Sequence, residues 1–246
     1  MLTRTVRFMK RVLVGLRRRL RSARGIDVVS SSEPASSLSD LEYWQWRASR
    51  YGERSVVNLA HSLDEIGAVK ERQISILMPL FSQCLKGWER RAIDFGCGPG
   101  RFTPEIAKRV GRCIGVDPIA SLLELAPKGP GVEYRQMDVA RIPLGDGSAD
   151  VVWCCLVLGG LQGQVLTDSI IEIQRVLAAD GLLFLVENTA ITPNAEHWRF
   201  RSSEEYRRLF HSVDLAVVEH YQDAGEPISI MAGRKNLADG GGRGEP

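Results

Sequence analysis

Three acids and three glycines carry the most evident chemistry in this chain: Asp94, Asp117 and Asp138, with Gly96, Gly98 and Gly100 following the first of them. In Ala92-Ile-Asp-Phe-Gly-Cys-Gly-Pro-Gly-Arg-Phe-Thr103 an apolar run ends at Asp94, the glycines alternate, and a helical pattern from Phe102 to Val110 leaves the stretch. This spacing predicts a buried strand, a tight turn and a helix N-terminus. Glycines at such a turn admit positive φ and let a ligand approach the backbone closely. A dinucleotide fingerprint is excluded, because its third glycine would fall where Arg101 stands, and no Gly-Lys-Ser/Thr follows to make a P-loop. Asp117 ends the short apolar run Cys113-Ile-Gly-Val-Asp117, one strand-turn-helix-strand unit after Asp94. A carboxylate there has two oxygens to match the cis-diol of a ribose. The same side chain also reads as a cap for a helix from Ile119 to Leu125, with Pro118 at its first position.

These residues must be positioned by alternating strands and helices, which implies an α/β fold with a parallel sheet. The third strand is read at Val132-Glu-Tyr-Arg-Gln-Met-Asp138, and the fourth after the turn Ile142-Pro-Leu-Gly-Asp-Gly-Ser-Ala-Asp150, continuing through Cys154 to Leu158. A helix from Val165 to Leu177 follows, stopped by Ala178-Ala-Asp-Gly181 with Gly181 as a left-handed C-cap. The fifth strand is Leu182-Leu-Phe-Leu-Val-Glu187-Asn188, and two final strands are read at Val213 to Tyr221 and Pro227 to Ala232. The segment from Asp64 to Lys86 is a long amphipathic stretch that Pro79 should kink or split.

The phrase D-x-G-x-G-x-G at Asp94 resembles the class I S-adenosylmethionine-dependent methyltransferases. So do Glu172-Ile-Gln-Arg-Val-Leu-Ala-Ala-Asp-Gly-Leu-Leu-Phe-Leu-Val-Glu187 and Arg201-Ser-Ser-Glu-Glu-Tyr-Arg-Arg-Leu-Phe210, so the resemblance covers roughly residues 43–235. It implies a Rossmann-like, doubly wound, mostly parallel seven-stranded sheet with an antiparallel C-terminal hairpin, plus N-terminal helices. It implies S-adenosyl-L-methionine as cofactor, cradled by Asp94, Gly96, Cys97, Gly98 and Gly100. Asp117, beside Pro118, would hold the ribose. Asp138 would meet the adenine amino group, with Met137 and Val139 beside it. Without the resemblance, Asp138 reads as a polar loop residue facing water.

In the resembled family the sulfonium methyl is already activated, so the enzyme must align the reactants and exclude water. An oxygen acceptor can also require a base. Glu187, at the end of the fifth strand, and His197, in the loop after it, are the candidates. Plain alternatives are hydrogen bonding near the cofactor for Glu187 and loop packing for His197 and Trp198. His61 is a minor candidate. The Asn/Asp-Pro-Pro-aromatic turn common in enzymes that methylate nucleobase amines is absent. Its place reads Leu156-Val-Leu-Gly-Gly-Leu161, where Gly159 and Gly160 let the backbone pass close to something, the methionine part of the cofactor being one option. Tyr43, Trp44, Trp46, Arg47 and Tyr51 read either as a lid over the site or as anchors docking an N-terminal helix, capped by Ser39 or Asp40, onto the core.

The net charge of +2 conceals an asymmetry: residues 1–24 hold nine Lys or Arg and no acid, leaving a mildly acidic body that argues against a broad nucleic-acid surface. Leu2, Val6, Met9, Leu13, Leu16 and Leu20 share one helical face in that basic stretch. A peripheral contact with an anionic membrane is the specific hypothesis, against a solvated tail, a packing helix or a targeting segment. The five cysteines lack any C-x-x-C and read as reduced core residues of a cytoplasmic protein, without disulfides or zinc. The chain divides into a basic amphipathic helix (1–24), a linker (25–38), a helical cap (39–88), the cofactor-binding core (89–235) and a Gly-rich tail read as disordered (236–246). The resulting expectation is a methyltransferase acting on a small-molecule or glycan acceptor, lipid-linked acceptors included. An RNA or protein methyltransferase, and a non-catalytic cofactor-binding regulator, are the alternatives.

Overall fold

The computed structural model describes residues 38–237. The readings for residues 1–24, for nearly all of the linker and for most of the tail lie outside the described residues.

Seven strands form one sheet: β1 Arg91–Phe95, β2 Arg112–Asp117, β3 Val132–Gln136, β4 Ala149–Cys155, β5 Leu177–Asn188, β6 Ala216–Asp223 and β7 Glu226–Arg234. Their order is β3-β2-β1-β4-β5-β7-β6, with β7 antiparallel to both of its neighbours and the other pairs parallel. This is the Rossmann-like architecture with an antiparallel C-terminal hairpin. Helices cover both faces, so the central strands read as continuous apolar runs, and every residue of β4 is buried. The pleat still sorts them. Leu183 and Leu185 face the cluster made with helix α5 (Gly163–Val176) and α6 (Ser203–Leu209). Leu182, Phe184 and Val186 face the cluster made with α2 (Ile66–Cys84) and α3 (Thr103–Val110). On that second face Trp153 stacks on Phe184 with ring centroids 4.7 Å apart, and Phe81 meets both edge-on.

Ahead of the sheet, α1 (Asp40–Tyr51) starts from a full capping box, in which the Ser39 hydroxyl accepts from the Glu42 N–H and the Glu42 carboxylate accepts from the Ser39 N–H. A 3-10 turn, Gly52–Val56, and a loop lead from α1 toward α2. Helix α2 runs unbroken through Pro79; the proline does not split it, because tertiary packing of Leu77, Met78 and Phe81 outweighs one lost backbone bond.

Three local expectations are corrected. The fourth strand ends at Cys155 rather than continuing to Leu158: Leu156 turns to φ 58° and Leu158–Gly160 form a 3-10 turn. Gly181 is not a left-handed cap. Asp180 takes the positive φ (57°), and a Cβ on Gly181 would lie 2.8 Å from the Ala178 carbonyl oxygen, so that glycine serves close packing. The helix after Pro118 is a single turn, α4 (Ala120–Leu123). Among the described residues no helix is long and apolar enough to cross a membrane.

Candidate active site

Strand order reverses between β1 and β4, and the crevice above their C-terminal ends is where open α/β sheets bind ligands. Asp94 and Asp117 stand at the ends of β1 and β2, and Asp138 lies just beyond β3. The glycine loop follows β1, with Gly96, Gly98 and Gly100 at φ 66°, 53° and 69°. Each glycine is also spatially required. A Cβ on Gly96 would come within 2.6 Å of the Val157 methyls, one on Gly98 within 2.9 Å of Val56, and one on Gly100 would collide with the Tyr134 hydroxyl.

The loop holds itself in shape. Gly96 and Cys97 both donate to the Val116 carbonyl (2.9 and 3.1 Å), Gly100 donates to the Cys97 carbonyl (3.0 Å), and Gly98 donates to Asp117 Oδ2 (2.9 Å). Asp117 Oδ1 accepts from the Ile119 N–H at 2.9 Å. Its capping role is thus real, and each carboxylate oxygen keeps a second lone pair for a ribose hydroxyl. Asp94 accepts the Thr103 hydroxyl at 2.7 Å. Burial pushes Asp94 up to about 7 and Asp117 up to about 6. Neither is paired with a cation at contact distance among the described residues. A cationic, ribose-bearing ligand is the chemistry this donor set fits, because it would let both acids ionise.

Asp138 is exposed, and Met137 beneath it is buried. The Met137 N–H donates to the Asp117 carbonyl at 3.1 Å, and the Asp138 carbonyl accepts from the Arg141 N–H at 3.1 Å. Pro118 accepts from the Gln136 amide through its carbonyl (3.1 Å), fixing β3 against the turn after β2.

On the other side of the switch point Glu187 is fully buried, and its carboxylate accepts from the N–H groups of Val157 (3.0 Å), Leu158 (2.7 Å) and Gly159 (3.3 Å). Burial pushes it up to about 7 against those three hydrogen bonds. The close approach that Gly159 and Gly160 allow is filled by indoles. A Cβ on Gly159 would strike Trp198, and one on Gly160 would lie 2.8 Å from Trp44, whose Nε1 donates to the Gly160 carbonyl at 3.4 Å. His197 stacks on Tyr43 with centroids 4.1 Å apart, and its Nδ1 lies 3.5 Å from Asp40 Oδ1. Trp44 thus anchors α1 onto the core beside Trp198 (6.2 Å, edge to face), while Trp46 stays among Tyr43 and Tyr51. His61 is tied to Asp223 at 2.9 Å, across from the cluster around His197.

The sequence reading missed Asp40, Thr103, Tyr134 and Val56 as neighbours of the site. Only Thr103 carried a local signal, as the first residue of the helix after the loop.

The crevice at the strand-order reversal, with its glycine loop and strand-end acids, lies in the part of the chain that comparison with known proteins covers best. Residues 93–185 match the model of a methyltransferase domain family. A malonyl-[acyl-carrier protein] O-methyltransferase of Legionella pneumophila is 27% identical over 176 residues, covering 65% of this chain and 61% of that protein. An uncharacterized methyltransferase-like protein of Schizosaccharomyces pombe is 36% identical over 99 residues, covering 39% of this chain and 38% of its own. The chain therefore spans less than two thirds of either relative. Two solved structures share the fold: YcgJ of Bacillus subtilis (TM-score 0.54, 18% identity, 65% of this chain, 98% of that one) and a phosphoethanolamine N-methyltransferase of Haemonchus contortus (TM-score 0.59, 16% identity, 82% and 49%). Over residues 93–185, which run from β1 into β5, the chain is similar to this methyltransferase domain family.

Proposed function

We propose that this protein transfers a methyl group from S-adenosyl-L-methionine to a small-molecule or glycan acceptor, lipid-linked acceptors included. One observation carries the choice of acceptor: Tyr43, Trp44, His197 and Trp198 pack on one another in a cluster of rings over Gly159 and Gly160, just after β4. A cluster of rings suits a small acceptor or a sugar face better than an extended polymer. The acidic balance of the chain beyond residue 24 points the same way. So does the small molecule named with the Haemonchus protein, phosphoethanolamine.

Asp94, the glycine loop with Cys97, and Asp117 with Pro118 would hold the amino-acid and ribose parts of the cofactor, and Met137, Asp138 and Val139 the adenine. When bound, the cofactor supplies a methyl already activated on a sulfonium sulfur. What this chain must add is alignment and exclusion of water. Glu187 serves as a positioning residue, since its carboxylate fixes the turn from Val157 to Gly159 that Trp44 and Trp198 cover. His197 is the candidate proton acceptor, with its Nδ1 3.5 Å from Asp40 Oδ1. Residues 1–24 are proposed to contact an anionic membrane surface, on their sequence pattern alone. Liposome co-sedimentation of the full chain against one starting near Ser30 tests this, and equal partitioning removes it.

Cofactor with a radiolabelled methyl group, incubated with the protein and an extract lacking it, tests the function. Label recovered in small metabolites, glycan or lipid supports the reading. Label in RNA or protein overturns the acceptor. Tight cofactor binding with no labelled product in any fraction would make the chain a non-catalytic cofactor-binding regulator.

A further inference from the structure

Next to the glycine loop lies a group of hydrogen-bond donors that the protein answers only in part. Arg101, directly after Gly100, is only 9% exposed. Its Nη1 donates to Gln73 Oε1 at 2.9 Å, and its guanidinium lies 4.9 Å from the centre of the Phe102 ring. Among the described residues no carboxylate lies within ion-pair distance of it, so most of its five N–H groups are unclaimed by the protein. Gln73 is 2% exposed, and with its oxygen held by Arg101 its amide Nε2 is buried without a partner. The Tyr221 hydroxyl, beside it, is also buried without a partner. Burial pushes that phenol strongly up, so it remains an O–H donor.

The charged groups around this cluster are engaged elsewhere. Asp94 accepts from Thr103, and Asp223, at the end of β6, is held by His61. The charge of Arg101 is nonetheless felt at Asp94, at Cys155 on the end of β4, and at Tyr221, which places it over the β1–β4 side of the crevice. A buried guanidinium without a counter-ion is costly, and buried unpaired amide and hydroxyl groups add to that cost. Such a set persists where a ligand completes it.

We propose that Arg101, Gln73 and Tyr221 form a subsite for one carboxylate group beside the glycine loop. Guanidinium geometry matches the two oxygens of a carboxylate, and the amide and phenol supply the remaining donors. The assignment rests on the methyltransferase reading above. Two molecules could bring this chemistry, the amino-acid end of the cofactor and an acidic acceptor, and the test separates them.

Calorimetry of the full chain would use S-adenosylhomocysteine, its analogue lacking only the carboxylate, and malonate titrated in the presence of S-adenosylhomocysteine. Wild type is compared with Arg101→Met, Gln73→Leu and Tyr221→Phe, each checked for an unchanged thermal transition. If the carboxylate is the cofactor's, Arg101→Met weakens S-adenosylhomocysteine about 10- to 100-fold, the size expected for a charged hydrogen-bonded pair, and leaves the analogue unchanged. If it is the acceptor's, both nucleosides bind as before, wild type binds malonate, and Arg101→Met does not. Gln73→Leu and Tyr221→Phe follow with smaller losses in the same column, and they keep the test open if Arg101→Met fails to fold. Equal weakening of both nucleosides marks a structural arginine and overturns the subsite, as does an unchanged affinity for all three probes. Failure of wild type to bind S-adenosylhomocysteine at all would instead overturn the methyltransferase reading.

Discussion

The two ends of the crevice are built in opposite ways. The cofactor end is made from neighbours in sequence: Asp94 to Gly100 form one loop, and Asp117 reaches back only to Gly98. It is polar, tightly hydrogen-bonded and intolerant of a single added carbon. The acceptor end gathers Asp40, Tyr43 and Trp44 from α1, the turn at Gly159 and Gly160, Glu187 from β5, and His197 and Trp198 from a later loop. It is aromatic and held by packing. As proposed, the first end would recognise a fixed ligand by charge and backbone shape. The second can change its specificity by changing rings.

Experiments can break or sharpen this contrast. The largest effect is expected at the acceptor end: His197→Ala should lower kcat by about 100-fold or more if the imidazole accepts the proton. It should leave S-adenosylhomocysteine affinity unchanged, and undiminished turnover with the true acceptor excludes a required base there. At the cofactor end Gly100→Ala forces a Cβ against Tyr134 at positive φ. Affinity for S-adenosylhomocysteine should fall by about 10-fold or more, with about 1–3 kcal/mol lost in stability. A variant that binds normally would mean that Tyr134 yields and the loop is less constrained than its packing implies.

The buried acids give a pH signature that differs between the ends. Asp94 and Glu187 are raised to about 7 and Asp117 to about 6, above their unfolded values. Their contribution to stability is complete below about pH 4 and is lost as pH rises through about 6 to 7. Denaturant unfolding from pH 5 to pH 8 should therefore show falling stability without cofactor. Added S-adenosylmethionine should flatten the share due to Asp94 and Asp117, because the sulfonium and ammonium favour the ionised forms. Glu187→Gln should remove the remaining share at a cost of about 1–3 kcal/mol, since the amide presents one acceptor fewer to the turn. If cofactor leaves the pH profile unaltered, the acids are not its counter-charges. The smallest change is expected for Trp44→Ala. It opens the space above Gly160 and should raise the acceptor KM several-fold while leaving cofactor affinity intact.

Most of the fold was legible in the sequence. A parallel sheet covered on both faces leaves apolar runs such as Val151 to Cys155 that stand out without context. The misjudged boundaries share a cause. Past Cys155 the apolar run continues in Leu156, Val157 and Leu158, so hydrophobicity could not show the strand ending. The stop is imposed by Glu187, a residue thirty positions away, which takes the N–H groups a sheet partner would otherwise need. Asp180 and Gly181 were exchanged for a similar reason: the local pattern favoured glycine for positive φ, while close packing against Leu177 and Ala178 required glycine one residue later.

By itself, the sequence determined the shape of the glycine loop and the acids at the ends of β1 and β2. Glycine spacing and strand-end acids act through backbone conformation and short-range hydrogen bonds, and these are properties of a contiguous stretch. Tertiary structure alone decided what faces Gly159 and Gly160, which acid stands near His197, and that Arg101 meets Gln73 and Tyr221 in a buried cluster. Those contacts join residues from different layers of the fold, and no local pattern encodes which layer a side chain will meet.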